Sequence, residues 1–280
     1  MQRQAEQIQN WLQVFKTIGK ATQDTAVGMY GTAEAREKLG KGAGGDITVK
    51  LDRVLEDIII EHLRKHDNVK LISEEIGEEV FGTPEVVVAA DPLDGSFNAK
   101  RGLPIFAVSL ALAIPEEELT DEPLLMKDIK LGYVKNLISG DEYWAIRNNG
   151  AYKNGKAFRT PDSEQLNVFC VELSPDPAGT FAAFSKLLNT DSKIRCIGSL
   201  ALDLCYTAEG IFDCVLDLRR GRCRVLDTAA GIIILEEAGG IVTDEAGSTL
   251  SNRPITVTAK YNMVGTRNKK IHKKIIDGLV

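Results

Sequence analysis

Asp91 and Asp94 lie in Val86-Val-Val-Ala-Ala-Asp91-Pro-Leu-Asp94-Gly-Ser-Phe-Asn98. The small and β-branched residues ahead of Asp91 read as a strand buried on both faces. Pro92 has no N–H for a sheet ladder, which predicts that the strand stops there. Gly95 frees the backbone to turn, and Ser96 is a suitable cap for the helix that follows. Asp91, the Leu93 carbonyl and Asp94 then converge as hard oxygen ligands at a strand's carboxyl end. Amides of Gly95 and Ser96 beside them suit an anion. An Asp-Pro-Leu-Asp-Gly surface turn is the other reading of the same residue types.

Two more acidic sites stand at element ends. Glu74 and Glu75 follow the apolar run Val69–Ile72. Asp227 lies in Val225-Leu-Asp227-Thr-Ala-Ala-Gly231, ahead of Ile232–Leu235 and Glu236-Glu-Ala-Gly-Gly240. Taken singly, paired glutamates suit a solvated face, and an aspartate at a helix start suits a cap. Together with the anion nest they suit divalent cations and a phosphate in one corner.

These segments, in this order, resemble the inositol monophosphatase / fructose-1,6-bisphosphatase superfamily, most closely the archaeal-type enzymes with both activities. Ser96 stands where many members carry Thr, and Leu226 where many inositol monophosphatases carry Trp. The resemblance implies an αβαβα layered α/β fold and two or three Mg²⁺ ions, with Mn²⁺ an alternative. It implies Glu74, Asp91 and the Leu93 carbonyl as ligands of one ion. Asp91, Asp94 and Asp227 would hold a second, and Glu74 with Asp52, beside Thr48, a looser third. Glu74 and Ser96 resemble the pair that orients the attacking water, with Glu75 behind them. The Gly95 and Ser96 amides would hold the phosphate.

Metal-held carboxylates supply an activated water, neutralised phosphoryl oxygens and leaving-group assistance at neutral pH. No Cys-His or Ser-His pair stands in a recognisable context, which favours direct attack by metal-bound water over a covalent nucleophile. Arg195-Cys-Ile-Gly198-Ser-Leu200 resembles the segment that meets the sugar or polyol. Arg219-Arg220-Gly-Arg222-Cys-Arg224 places four arginines just before Asp227. Inositol monophosphatases carry Glu at the position of Arg220, where it meets polyol hydroxyls. A guanidinium there suits a second phosphate through bidentate bonds; a solvated basic loop is the plainer reading. The expected substrates are fructose 1,6-bisphosphate and inositol 1-phosphate. A phosphatase for 3′-phosphoadenosine 5′-phosphate or NADP is the alternative, and an inert Mg²⁺-binding module is disfavoured by the intact carboxylates.

The elements that must position these residues read as follows. Residues 1–39 read as a polar-rich helical stretch, with Ile8, Leu12, Phe15 and Ile18 in the spacing of an amphipathic helix. Gly40-Lys-Gly-Ala-Gly-Gly45 satisfies a dinucleotide-binding spacing, but a helix precedes it and Asp46–Asp52 follows, so a mobile active-site loop is the better expectation. Leu51, Val54, Leu55, Ile58, Ile59 and Leu63 predict a second helix. Phe106–Ile114, Ile129–Leu137 and Glu142–Arg147 read as strands, with Asn148-Asn-Gly150 and Asn154-Gly155 as hairpin turns. From Val168 strands and helices alternate, including helices over Ala178–Leu188, Ala201–Ala208 and Thr228–Ala238. This predicts helices on a largely antiparallel sheet over residues 1–165, and a smaller α/β subdomain over 166–280 contributing Asp227 and the substrate determinants.

The chain has 280 residues and a formal net charge of −6, an acidic balance that disfavours nucleic acid. No apolar run approaches a membrane span or a signal-peptide core. Its five cysteines show no metal spacing and leave an odd thiol, as expected for reduced thiols in the cytoplasm. A cytoplasmic homodimer acting on a sugar or polyol phosphate, without nucleic acid or membrane, is the resulting expectation.

Overall fold

The computed structural model describes residues 2–45, 47–172, 182, 184–219 and 221–279. The helix expected over Ala178–Leu188 lies largely outside these residues, and Arg220 lies outside them altogether. Among the described residues no helix is long and apolar enough to cross a membrane.

One eight-stranded sheet holds β3 (Asn68–Ser73), β4 (Gly77–Gly82), β5 (Val86–Asp94), β6 (Ala107–Ala113), β7 (Ile129–Asn136), β8 (Glu142–Ile146), β9 (Ala151–Lys153) and β10 (Lys156–Phe158). Their order is β10-β9-β8-β7-β6-β5-β3-β4. All neighbours are antiparallel except β3 and β5, which run parallel. A five-stranded sheet, ordered β12-β11-β13-β17-β15, follows. It comprises β11 (Val168–Glu172), β12 (Lys193–Arg195), β13 (Cys214–Asp217), β15 (Ile241–Thr243) and β17 (Met263–Thr266). A hairpin of β1 (Lys38–Lys41) and β2 (Ile47–Val49), and a pair of β14 (Cys223–Arg224) and β16 (Lys260–Tyr261), complete the strands.

Three apolar clusters set the layers. The first packs α1 (Gln2–Met29) and α2 (Lys50–Leu63) on one face of the large sheet, through Leu12, Phe15, Leu55, Ile59, Val88 and Leu110. The second fills the space between the sheets with α4 (Leu200–Glu209) and α5 (Val225–Ala238). The third seats α6 (Lys269–Leu279) on the far side of the smaller sheet, through Ile271, Ile275 and Val264. The layering is therefore αβαβα, as expected.

A row of small residues explains where α5 sits. Cross-strand pairing aligns Ala89, Ala111, Gly132, Ala145 and Ala151 across β5 to β9, and α5 crosses these strands. At Gly132 a Cβ would lie 2.6 Å from the Ala230 carbonyl oxygen and 2.3 Å from Ile233, so the backbone itself is the packing surface. Residues two apart share a strand face. Ala89 and Asp91 therefore both point toward α5, whose first turn carries Asp227.

The structure corrects several expectations. β5 runs through Pro92 to Asp94. The pairing shifts between Asp91↔Ser109 and Asp94↔Ala107, so Pro92 falls in a bulge, where its missing N–H breaks no ladder bond. α3 (Ser96–Arg101) takes Gly95, at φ 91°, as its N-cap, and Ser96 is its first helical residue. The first helix ends at Met29, and Gly40 belongs to β1, paired with Thr48. The strands β4, β14 and β16 are not predicted by the sequence pattern.

Glu56 on α2 is fully buried; its Oε1 accepts from Ser73 Oγ at 2.5 Å and from the Ile76 N–H at 3.2 Å. It thereby pins both ends of the turn carrying Glu74 and Glu75. Burial pushes its carboxyl up to about 7, against the Ser73 and Ile76 hydrogen bonds that pull it down, and Oε2 has no partner.

Two predictions follow from this packing. Gly132→Ala overpacks the α5 seat and costs about 1–3 kcal/mol, read as a lower melting temperature. Unchanged melting would contradict the role given to this row. For Glu56, the raised folded-state pKa means that native protein binds more protons than unfolded chain between about pH 4.5 and 7, so its contribution to stability falls as pH rises. Glu56→Gln should raise the melting temperature at pH 8 and leave it nearly unchanged at pH 5. An equal shift at both pH values would refute the buried-charge account.

Candidate active site

Glu74, Asp91 and Asp227 arrive from three separate elements, the β3–β4 turn, β5 and the first turn of α5. Each offers a carboxylate oxygen within 4.8 Å of the other two. Asp91 is buried and accepts the Leu93 N–H at 2.9 Å through Oδ1. Asp227 Oδ1 is shielded from solvent and has no hydrogen-bond partner. Burial, then the charges of Asp227 and Asp94, push Asp91 well above the usual carboxylate range. Asp227 is pushed up to about 6 by burial, although the Arg224 and Arg219 guanidiniums pull it down. Crowded, shielded carboxylates with an unsatisfied oxygen are a donor set that fits a hard divalent cation.

Asp94 stands beside this trio but is tied elsewhere. Its carboxylate accepts Ser199 Oγ, the Leu200 N–H at 3.2 Å and the Ala201 N–H at 2.9 Å. It thus closes the N-terminus of α4 and keeps about one of a carboxylate's four acceptor directions free. Burial, then the Asp227 charge, pushes it up to about 7. Leu200 takes part through this amide, while its side chain lies in the core between the sheets.

A rim of anchoring bonds surrounds the carboxylates. Asp52 Oδ2 accepts the Val49 N–H at 3.0 Å and lies 3.8 Å from Lys100 Nζ. Its Oδ1 has no partner, and burial pushes its carboxyl up to about 6. Thr48 Oγ1 donates to Glu75, so Glu75 rather than Glu74 holds this hydroxyl. The glycine segment closes on the same turn: Ala43 N–H donates to the Glu75 carbonyl at 2.9 Å and Gly44 N–H to the Glu74 carbonyl at 2.7 Å. Asn98 Nδ2 donates to the Ile105 carbonyl at 2.8 Å and the Ile197 carbonyl at 2.6 Å, fixing Gly95–Ser96 against the segment ending at Gly198.

The arginines divide. Arg219 grips Asp217 through Nε at 2.9 Å and Nη2 at 2.6 Å, with Glu172 3.5 Å from Nη1. Arg224 Nη1 donates to Glu74 Oε1, and its Nη2 reaches the Gly44 carbonyl at 3.1 Å. Arg195 is exposed and bonds the Ile194 carbonyl of its own strand, and Arg222 is exposed. Sequence reasoning missed the contacts of Asn98, Lys100, Ser199 and Arg224, and the placement of Glu56. The Asp52–Glu56 spacing of one helical turn was the signal available for the last. A groove of about 1050 Å³ lies elsewhere, between α1 and the Thr83–Glu85 loop; chemistry rather than cavity size locates the site.

Comparison with known proteins identifies the family. The model of the inositol monophosphatase family matches residues 7–279. The chain is 39% identical over 245 residues to a fructose-1,6-bisphosphatase/inositol-1-monophosphatase of Archaeoglobus fulgidus, covering 87% of this chain and 88% of that protein. It is 30% identical to a bifunctional NADP phosphatase/NAD kinase of Methanococcus maripaludis, covering 95% of this chain and 48% of that one. The crystal structure of the MJ0109 gene product, inositol monophosphatase–fructose 1,6 bisphosphatase, superposes with a TM-score of 0.82 at 28% identity, covering 96% of this chain and 99% of that one. The chain belongs to the inositol monophosphatase family of phosphatase enzymes.

Proposed function

We propose that the protein is a Mg²⁺-dependent phosphate monoester hydrolase acting on fructose 1,6-bisphosphate and inositol 1-phosphate. The observation that carries this reading is the convergence of Glu74, Asp91 and Asp227 with a shielded, unpartnered Asp227 oxygen. These three residues, with the Leu93 carbonyl and the remaining acceptor direction of Asp94, would hold the ions; Asp52, whose Oδ1 has no partner, would join Glu74 at a looser position. Divalent ions there, Mg²⁺ or Mn²⁺, would neutralise phosphoryl oxygens and lower the pKa of water for attack on phosphorus.

The chain's own groups do the rest. Glu74 and Ser96 orient the attacking water, and Thr48 acts through Glu75, whose carboxylate it holds. The Gly95 and Ser96 amides receive the phosphate. Asp94, braced by the start of α4, keeps its place as charge develops, so little reorganisation is needed in the transition state.

Substrate choice falls to the second half of the chain. Arg219 and Arg224 face carboxylates; the exposed Arg195 and Arg222, with Gly198, and Arg220 by its position in the sequence, would serve a second phosphate and the sugar. This supports a bisphosphate, with inositol 1-phosphate as a smaller substrate. The likeness to a bifunctional NADP phosphatase/NAD kinase supports NADP as a second reading. The protein would act as a cytoplasmic homodimer in carbohydrate metabolism.

Phosphate release from fructose 1,6-bisphosphate, inositol 1-phosphate, 3′-phosphoadenosine 5′-phosphate and NADP tests this directly. Release should cease in EDTA and return with Mg²⁺. A charge-assisted bond contributes roughly 1.5–3 kcal/mol, so Arg220→Ala should lower kcat/KM for the bisphosphate about 10- to 150-fold. Turnover of inositol 1-phosphate should barely change. Full activity in EDTA would end the metal-dependent reading, and equal losses for both substrates would end the second-phosphate role.

A further inference from the structure

Arg224 occupies an unusual place for a positive charge. It closes β14 and is the N-cap residue of α5. Two hydrogen bonds and a strand pairing fix this backbone: Val225 N–H donates to the Ala259 carbonyl at 3.2 Å, Thr228 Oγ1 donates to the Arg224 carbonyl at 2.8 Å, and Arg224 pairs with Lys260 across β14–β16. The side chain is largely withdrawn from water, at 11% exposure. One arm of its guanidinium takes Glu74 Oε1, within the trio that suits a divalent ion; the other takes the Gly44 carbonyl of the β1–β2 hairpin. The same guanidinium is the strongest influence pulling Asp227 down.

We propose that Arg224 is a built-in counter-cation of the carboxylate cluster, which pairs with Glu74 when no divalent ion is bound and gives up that oxygen when one binds. The proposal rests on the metal-site reading of Glu74, Asp91 and Asp227 given above. The guanidinium on Glu74 Oε1 and an ion held by the same carboxylate would be two cations side by side, which repel and compete for one negative charge. Arg224 and the ion are therefore coupled ligands of one carboxylate, and each weakens the other by the same factor. Through its second arm the guanidinium also ties the hairpin to the cluster. A planar fork can hold two acceptors in fixed directions, whereas an ammonium is a point charge on a flexible stem.

The test is Mg²⁺ titration calorimetry and thermal melting of the full chain as wild type, Arg224→Gln and Arg224→Lys, prepared without metal and then saturated. Arg224→Gln should bind Mg²⁺ about 5- to 150-fold more tightly, the usual range for such coupling. Its melting temperature should fall below wild type without metal and rejoin it at saturating Mg²⁺. Arg224→Lys should stay nearer the wild-type Kd, yet trypsin should cut it faster after Lys41, because one ammonium cannot bridge Glu74 and Gly44. An unchanged or weaker Mg²⁺ affinity in Arg224→Gln, or a melting deficit that persists at saturation, would overturn the counter-cation role. Wild-type cleavage rates in Arg224→Lys would overturn the tie to the hairpin. If no variant binds Mg²⁺ at all, wild type included, the metal-site reading fails first. Should Arg224→Gln fold only with Mg²⁺, the Kd of Arg224→Lys decides, with a value weaker than wild type counting against the proposal.

Discussion

Four carboxylates, Glu74, Asp91, Asp94 and Asp227, crowd where the large sheet meets α4 and α5, and the protein must offset their mutual repulsion. Desolvation disfavours every charge in such a site, and neighbouring charges of the same sign add to the penalty. The fold meets part of this with its own groups. The start of α4 supplies a hydroxyl and two amides to Asp94, Arg224 supplies a guanidinium to Glu74, and the Leu93 amide serves Asp91. What remains, above all the unpartnered oxygen of Asp227, is demand for a cation. In the proposed function phosphate hydrolysis would use that demand, since ions that satisfied the carboxylates would also neutralise the phosphoryl group.

The scaffold makes this tension sustainable by placing each carboxylate on an element that cannot easily move. α5 lies between two sheets and presses on the glycine of a small-residue row, so Asp227 is located by close packing against backbone. The turn bearing Glu74 and Glu75 is gripped from below by Glu56 and from above by the hairpin amides of Ala43 and Gly44. Asp91 sits at the bulge of β5, which frees Pro92 from the ladder and redirects the chain toward Gly95. Loss of any one support would relax the cluster by letting the charges separate.

Much of this was legible in the sequence because the chemistry is local. Glu74–Glu75, Asp91–Ser96 and Asp227 each sit where an apolar run ends, and the alternation of runs after Val168 marks the second layer. Pro92 misled because a proline at a bulge and a proline ending a strand read alike until the partner's register is known. Ala89, Ala111, Gly132, Ala145 and Ala151 are unremarkable singly and become a helix seat only once five strands align them. Arg224 read as one of four arginines in a basic loop, and only its distance from Glu74, 150 positions earlier in the chain, separates it from Arg222. The partners of Asn98 and Ser199 are hidden in the sequence for the same reason, lying 99 and 105 positions away.

The central claim is that Glu74, Asp91 and Asp227 form a divalent-metal centre. Anomalous diffraction from crystals soaked in Mn²⁺ at its absorption edge reads this directly. The account predicts an anomalous peak within coordination distance of all three carboxylates, weakened when Asp227 is replaced by Asn. Crystals whose only Mn²⁺ peaks lie away from these residues, with the carboxylates undisturbed, would contradict it.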